Sequence, residues 1–203
     1  TVRPGLGLTE EGLVQARRLA DRWEGEVAAP PTVIAVSGLH RTRLTAAPLA
    51  ARFGLTPLVC PGIRELRSGD LEMASDPASQ MEYVRTTLSW CVGDLDNRMP
   101  GGESGREALA RSLETVRRVG LAAREQVGED AVAVFVIHGA LMRLLATWLS
   151  ADIDEALVSK HFMSNTGTTT FEWAPGFTPA SASELAKGLH ALTWNDRPLD
   201  QWD

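Results

Sequence analysis

The sequence predicts an α/β fold: three layers, α/β/α, with a mainly parallel sheet between the helices. Two apolar, β-branched runs carry this prediction, TVIAVS at 32–37 and AVAVFVI at 131–137. Neither alternates polar with apolar residues, so both read as strands buried on two faces, as in parallel sheets. Each gives way at once to a helical pattern, as βα units do. With 203 residues, 44% of them hydrophobic, the chain can bury a sizeable core and is read as a single domain over 1–203.

The elements follow in order. Thr9 can cap a first helix whose opening turn holds Glu10 and Glu11, with Leu13, Ala16, Leu19, Ala20 and Trp23 at helical spacing. Pro30 and Pro31 separate it from the 32–37 strand. Ser37-Gly38-Leu39 then turns into a helix at 40–53, which contains Pro48 and is ended by Gly54. A short strand is expected at 57–60. Residues 62–102 hold polar turns and one helix, 77–92, without a strong strand pattern. An insertion of that length is expected to form a partial lid over an active site. A long helix at 103–126 precedes the 131–137 strand, and helices at 140–149 and 153–161 come after it. Two late strands, 166–173 and 188–195, flank a Pro- and Ser-containing loop and are expected to pair as a hairpin.

Bulk properties exclude several classes of function. A net charge of −6 argues against an extended nucleic-acid surface. No apolar run is long enough to span a bilayer, so no membrane role is expected. Cys60 and Cys91 have neither metal-ligand spacing nor disulfide density, so both read as core thiols in a reducing, cytoplasmic setting. The opening residues, TVRPGLGLTEEG, have no signal-like composition and start in mid-loop, which leads us to expect a strand before them.

Parallel topology predicts that the carboxyl ends of the two long strands share one edge, where α/β proteins bind ligands beside helix N-termini. That brings Ser37, His40 or Arg41, and His138 toward one crevice. His138 ends its strand, and Gly139 opens the next helix, a position suited to phosphate or carboxylate chemistry; the competing reading is a satisfied core histidine. Arg41, at a helix start, can hold a phosphate bidentately or simply solvate the helix. In IRELRSGDLEM (63–73) the acids Glu65, Asp70 and Glu72 all qualify by type as a general acid, or as solvated loop acids. Gly101-Gly102 makes a sharp turn before Glu103 and Ser104, and Ser104 alone is adequate as an N-cap. His40, His161 and His190 are weaker candidates.

LTEEGLVQA (8–16), SGLHRTRLTA (37–46), RELRSGDLE (64–72), GGES (101–104) and VIHGALMR (136–143) stand in an order that resembles the histidine phosphatase superfamily, in its phosphoglycerate mutase-like branch. The likeness extends over nearly the whole chain. It implies that Arg41 binds phosphate, that Glu65 gives a proton to the leaving oxygen, and that His138 bonds the transferring phosphoryl group. It also implies that Glu103, Ser104 and Asn165 lie near the substrate. No metal or other cofactor is expected, because arginines and imidazoles bear the charge. The expected partner is a small-molecule phosphomonoester, with a homodimer left open.

The family's attacking histidine stands in an Arg-His-Gly on a strand before LTEEG, so the resemblance places it upstream of Thr1, on the order of 20 residues away. None of the four histidines present takes that position. Hydrolysis of a phosphomonoester through a phosphohistidine is the leading expectation. A phosphoglycerate mutase is the alternative within enzymes, and a non-catalytic relative that binds a phosphate ligand is the alternative outside them.

Overall fold

The computed structural model describes residues 5–202. Its central sheet is parallel, in the order β2-β1-β3, built from β1 (Val33–Val36), β2 (Leu58–Val59) and β3 (Ala133–Val136). Side chains of β1 alternate between two apolar clusters, which places helices on both faces. Ile34 and Val36 pack with Leu19 of α1 (Glu10–Arg22), Trp23 in the π-helical turn that continues it, and Leu49 of α2 (His40–Arg52). Ala35 faces the larger cluster, with Leu109 and Leu113 of α4 (Gly105–Val127) and Leu141 and Leu144 of α5 (Gly139–Leu149). The expected α/β/α layering is what the chain builds.

The register of β1 on β3 pairs Val36 with Val136. Ser37 and His138 therefore leave the sheet at the same edge. While β1 is buried along Ile34–Val36, every residue of β3 is only partly buried. Among the described residues, β1 is the strand hydrogen-bonded to β3, and no strand pairs with its other edge.

The late strands form as a hairpin, but shorter than expected. β4 (Phe171–Trp173) pairs antiparallel with β5 (Leu189–Ala191), after α6 (Glu155–Lys160) and the single turn α7 (Ala182–Leu185). Residues 168–170 lie outside the ladder, where threonine side chains supply part of the cross-strand bonding beside the backbone bonds from Leu192 N to Thr170 O and from Asp196 N to Thr168 O. Thr169 Oγ1 donates to Thr193 O at 2.6 Å, and Thr170 N donates to Thr193 Oγ1 at 3.0 Å. A second hairpin, β6 (Thr193–Trp194) with β7 (Arg197–Pro198), turns on Asn195 and Asp196, both at positive φ as its two-residue turn requires.

Between residues 62 and 102 lie short 3₁₀ turns and α3 (Pro77–Cys91), which packs on α5 and seats the fully buried Trp90 against Gly105. The neck of this segment is tight. Gly69, at φ +57°, approaches Gly101 so closely that a Cβ on it would lie 2.2 Å from the Gly101 carbonyl carbon. Asp70 N closes the contact by donating to Pro100 O at 2.8 Å.

A buried ion pair fixes the same neck to α4. Arg111 donates from Nε to Glu103 Oε2 at 3.0 Å and from Nη2 to Glu103 Oε1 at 2.6 Å. Its Nη1 also reaches Gly62 O at 2.8 Å and Arg64 O at 2.7 Å. The Glu103 side chain is 4% exposed and takes a further bond from Arg67 N at 2.8 Å. The turn bearing Glu65 is thus stapled to a long, rigid helix. Removing one partner leaves the other charge buried and uncompensated. Arg111→Met is expected to lose about 3–5 kcal/mol in urea unfolding, and Arg111→Met/Glu103→Leu to recover much of that loss. If the double variant were no more stable than the single one, the pair would not be the source of the cost.

Candidate active site

The parallel register converges Ser37, Arg41 and His138 at one sheet edge. Leu39 N donates to Ser37 Oγ at 3.2 Å, and Thr42 Oγ1 donates to Ser37 O and Leu39 O, fixing the strand-to-helix turn. His138 is 6% exposed and engaged on both ring nitrogens. Nε2 lies 2.9 Å from Ser37 Oγ, and Arg41 Nε donates to Nδ1 at 3.2 Å. Because Nδ1 accepts, the ring proton belongs on Nε2, directed at Ser37. Burial and the positive charges of Arg41, Arg111 and Arg64 lower the His138 pKa from 6.5 to about 3. The imidazole is neutral at physiological pH.

Glu65 reaches this cluster from the stapled turn. Its Oε1 accepts from Leu66 N at 3.0 Å and from Leu141 N at 3.2 Å, which docks the carboxyl on the first turn of α5, beside Gly139. Burial raises its pKa above the ordinary carboxylate value. The two backbone N–H groups and the charges of Arg41 and Arg143 oppose that rise. Of the three acids proposed from sequence, Glu65 is the one hydrogen-bonded to the helix that follows His138. Asp70 lies against Gly101, at the neck of the 62–102 segment.

The remaining sequence candidates are not part of this cluster. Both carboxylate oxygens of Glu103 are bonded to Arg111, and Oε1 also to Arg67 N. Ser104 is the N-cap of α4 in a reciprocal capping box with Glu107. Asn165 is exposed and has no side-chain hydrogen bond among the described residues; it is Asn195 whose side chain bonds Ser164. His40 faces outward, as its position beside Arg41 suggested.

Sequence reasoning passed over Arg111, Arg64 and Ser37's bond to His138. Ser37 was placed in the crevice by topology alone. The arginines carried no local signal, since an arginine inside a helix reads as solvated unless a distant loop packs on it. An open cavity of about 430 Å³ lies beside the staple, lined by Arg67, Arg98, Gly102, Glu103 and Arg111. Among the described residues no group of three His, Cys, Asp or Glu side chains converges to hold a metal ion. No helix among them is long and apolar enough to cross a membrane.

Comparison with known proteins gives these residues a setting. The chain is 28% identical over 205 residues to a PE-PGRS family protein of Mycobacterium tuberculosis, covering 95% of this chain and 34% of that protein. It is 32% identical over 142 residues to "Probable phosphoglycerate mutase GpmB" of Photorhabdus laumondii, covering 68% of this chain and 65% of that protein. The chain thus spans less than two thirds of either relative. Among solved structures, mycobacterial glucosyl-3-phosphoglycerate phosphatase in complex with inorganic phosphate is 26% identical with a TM-score of 0.68, covering 93% of this chain and 87% of that one. The family model "Histidine phosphatase superfamily (branch 1)" matches residues 2–182, and the chain belongs to that superfamily.

Proposed function

We propose that this chain carries most of a phosphomonoesterase acting on a small molecule through a phosphohistidine, with the attacking histidine on an Arg-His-Gly strand upstream of residue 1. The observation that carries this reading is the Ser37–His138–Arg41 chain beside Glu65, whose carboxyl is anchored on Leu141 N. The similar phosphatase of known structure supports it. So does the edge of β3, partly buried and unpaired among the described residues, which can seat one more parallel strand. Residues 62–102 serve as a partial lid over the pocket. Cys60 and Cys91 are free thiols, in keeping with a cytoplasmic setting.

In the proposed reaction the upstream imidazole nitrogen attacks phosphorus as the ester P–O bond breaks. Glu65 gives its proton to the departing alkoxide, so an alcohol leaves. A water then attacks phosphorus as the P–N bond breaks and the imidazole leaves; Glu65 accepts a proton from that water, and inorganic phosphate is released. Arg41 meets the phosphoryl oxygens with its guanidinium. The phosphoryl dianion replaces Arg41 as the partner of His138 Nδ1 and offsets the surrounding positive charge, so the imidazole becomes able to accept a proton and donate it to a phosphoryl oxygen.

The 32% identity to the mutase-named relative favours a second reading, return of the phosphoryl group to a second substrate oxygen. Interconversion of 2- and 3-phosphoglycerate by full-length protein, faster than phosphate release, would select it over hydrolysis.

With full-length protein, Arg41→Ala and His138→Ala are each expected to lower turnover of p-nitrophenyl phosphate by at least about 100-fold. Rates near wild type in either variant would remove that residue from the pocket. Glu65→Gln is expected to slow poor alkyl leaving groups strongly and p-nitrophenolate only weakly. Equal losses on both would assign Glu65 another task. The lowered pKa of His138 also has a stability signature. The unfolded chain protonates this residue below pH 6.5 while the folded chain holds it neutral down to about 3, so stability is lost as pH falls through that window. Relative to His138→Gln, wild type should lose about 2 kcal/mol between pH 7 and pH 5 by urea unfolding. An unchanged difference at the two pH values would mean that the imidazole titrates normally in the fold.

A further inference from the structure

Among the described residues, Arg143 is the one with a buried side-chain polar atom that lacks a hydrogen-bond partner, and the proposed reaction does not use it. It is 8% exposed, and its Nε is fully buried without a hydrogen-bond partner among the described residues. The two terminal amines keep accessible surface, and no protein acceptor among the described residues bonds them. One face of the guanidinium lies against the Phe162 ring, 4.3 Å from its centroid. Phe162 is itself 50% exposed, in the segment between α6 and β4. Arg111, by contrast, bonds through all three of its guanidinium nitrogens.

The location of Arg143 is specific. It lies one helical turn beyond Gly139 on the same face of α5, and five residues beyond His138, roughly 7 Å along the axis. The Glu65 carboxyl docks on the turn between them, at Leu141 N. Arg143 is close enough to Glu65 and Tyr83 for its charge to act on both. The Tyr83 hydroxyl, from α3, has no hydrogen bond to another described residue. From His138 and Arg41 the first turns of α5 lead past the acid to a buried cation with free donors, stacked on an aromatic ring. An unpaired buried charge costs stability. Retained next to a reaction centre, it is matched by an anion that arrives with the substrate.

We propose that Arg143 is a second anion subsite, which takes a carboxylate on the alcohol portion of the phosphomonoester and so sets substrate choice. The planar fork of a guanidinium fits a carboxylate bidentately, and the Phe162 ring restricts approach to the edge where the amines lie. This inference rests on the phosphomonoesterase reading above for its substrate, but its key measurement does not depend on turnover.

A matched pair of ligands isolates the carboxylate: 3-phosphoglycerate against glycerol 3-phosphate, in which a hydroxymethyl group replaces it. Full-length wild type is expected to prefer 3-phosphoglycerate by at least tenfold in kcat/KM and in Kd from titration calorimetry. Arg143→Met should reduce that preference at least tenfold, and Arg143→Lys should restore part of it. The melting temperature of Arg143→Met should equal or exceed that of wild type, since the substitution removes an uncompensated charge at similar volume. A preference that is absent from wild type, or that survives in Arg143→Met, overturns the subsite. A large fall in melting temperature also overturns it, by showing that the guanidinium has a structural partner, for example in an upstream segment. If the protein turns over neither ligand nor p-nitrophenyl phosphate, the phosphomonoesterase reading fails, and the calorimetric preference alone still decides the subsite.

Discussion

The in-step pairing of β1 with β3 is the constraint on which the rest of the arrangement depends. With Val36 opposite Val136, two strands separated by about a hundred residues of chain end level with each other. Ser37 Oγ and His138 Nε2 then meet at 2.9 Å without any distortion of either turn. A slip of one residue would send the imidazole to the opposite face of the sheet, because strand side chains alternate. Burial of Ile34, Ala35 and Val36 on both sides makes such a slip expensive. The register is set by hydrophobic packing, and the polar contacts inherit it.

The second half of the site comes from a different source. Glu65 lies on irregular chain, where packing alone would leave a carboxyl mobile. Its position is fixed electrostatically, through Arg111 and Glu103 on one side and through two backbone N–H groups on the other. The same surroundings push the two titrating groups in opposite directions: the carboxyl toward its protonated form and the imidazole toward its neutral form. Divergence of that kind between neighbouring groups is what acid–base chemistry near pH 7 requires.

Much of this was legible in the sequence, because the long elements announce themselves by pattern. TVIAVS and AVAVFVI mark the parallel core, and the Thr9 and Ser104 caps sit where they read. Ser37, Arg41 and His138 were brought together by topology alone. What remained hidden depended on contacts between distant segments. The division of 188–195 into β5 and β6 coincides with threonine side chains that bond across the strands at Thr193, which no propensity reports. Glu103 stood out by its place in the GGES turn, yet its carboxylate is bonded to an arginine eight residues on, inside α4. Arg143 was part of a recognised motif, but only three-dimensional packing reveals that its guanidinium lacks a protein partner.

The pinched neck at Gly69 and Gly101 has a consequence for how such a protein diversifies. Asp70 N to Pro100 O at 2.8 Å and Glu103 N to Arg67 O at 3.1 Å close the base of the 62–102 excursion into a ring. The chain between these contacts begins and ends at the same place whatever its length. Lengthening a loop whose ends are already held costs only about 0.6 kcal/mol per doubling. Length can therefore change at the exposed turns of the excursion at little cost, while Trp90 holds α3 in the main core and Arg41, Glu65 and His138 keep their spacing.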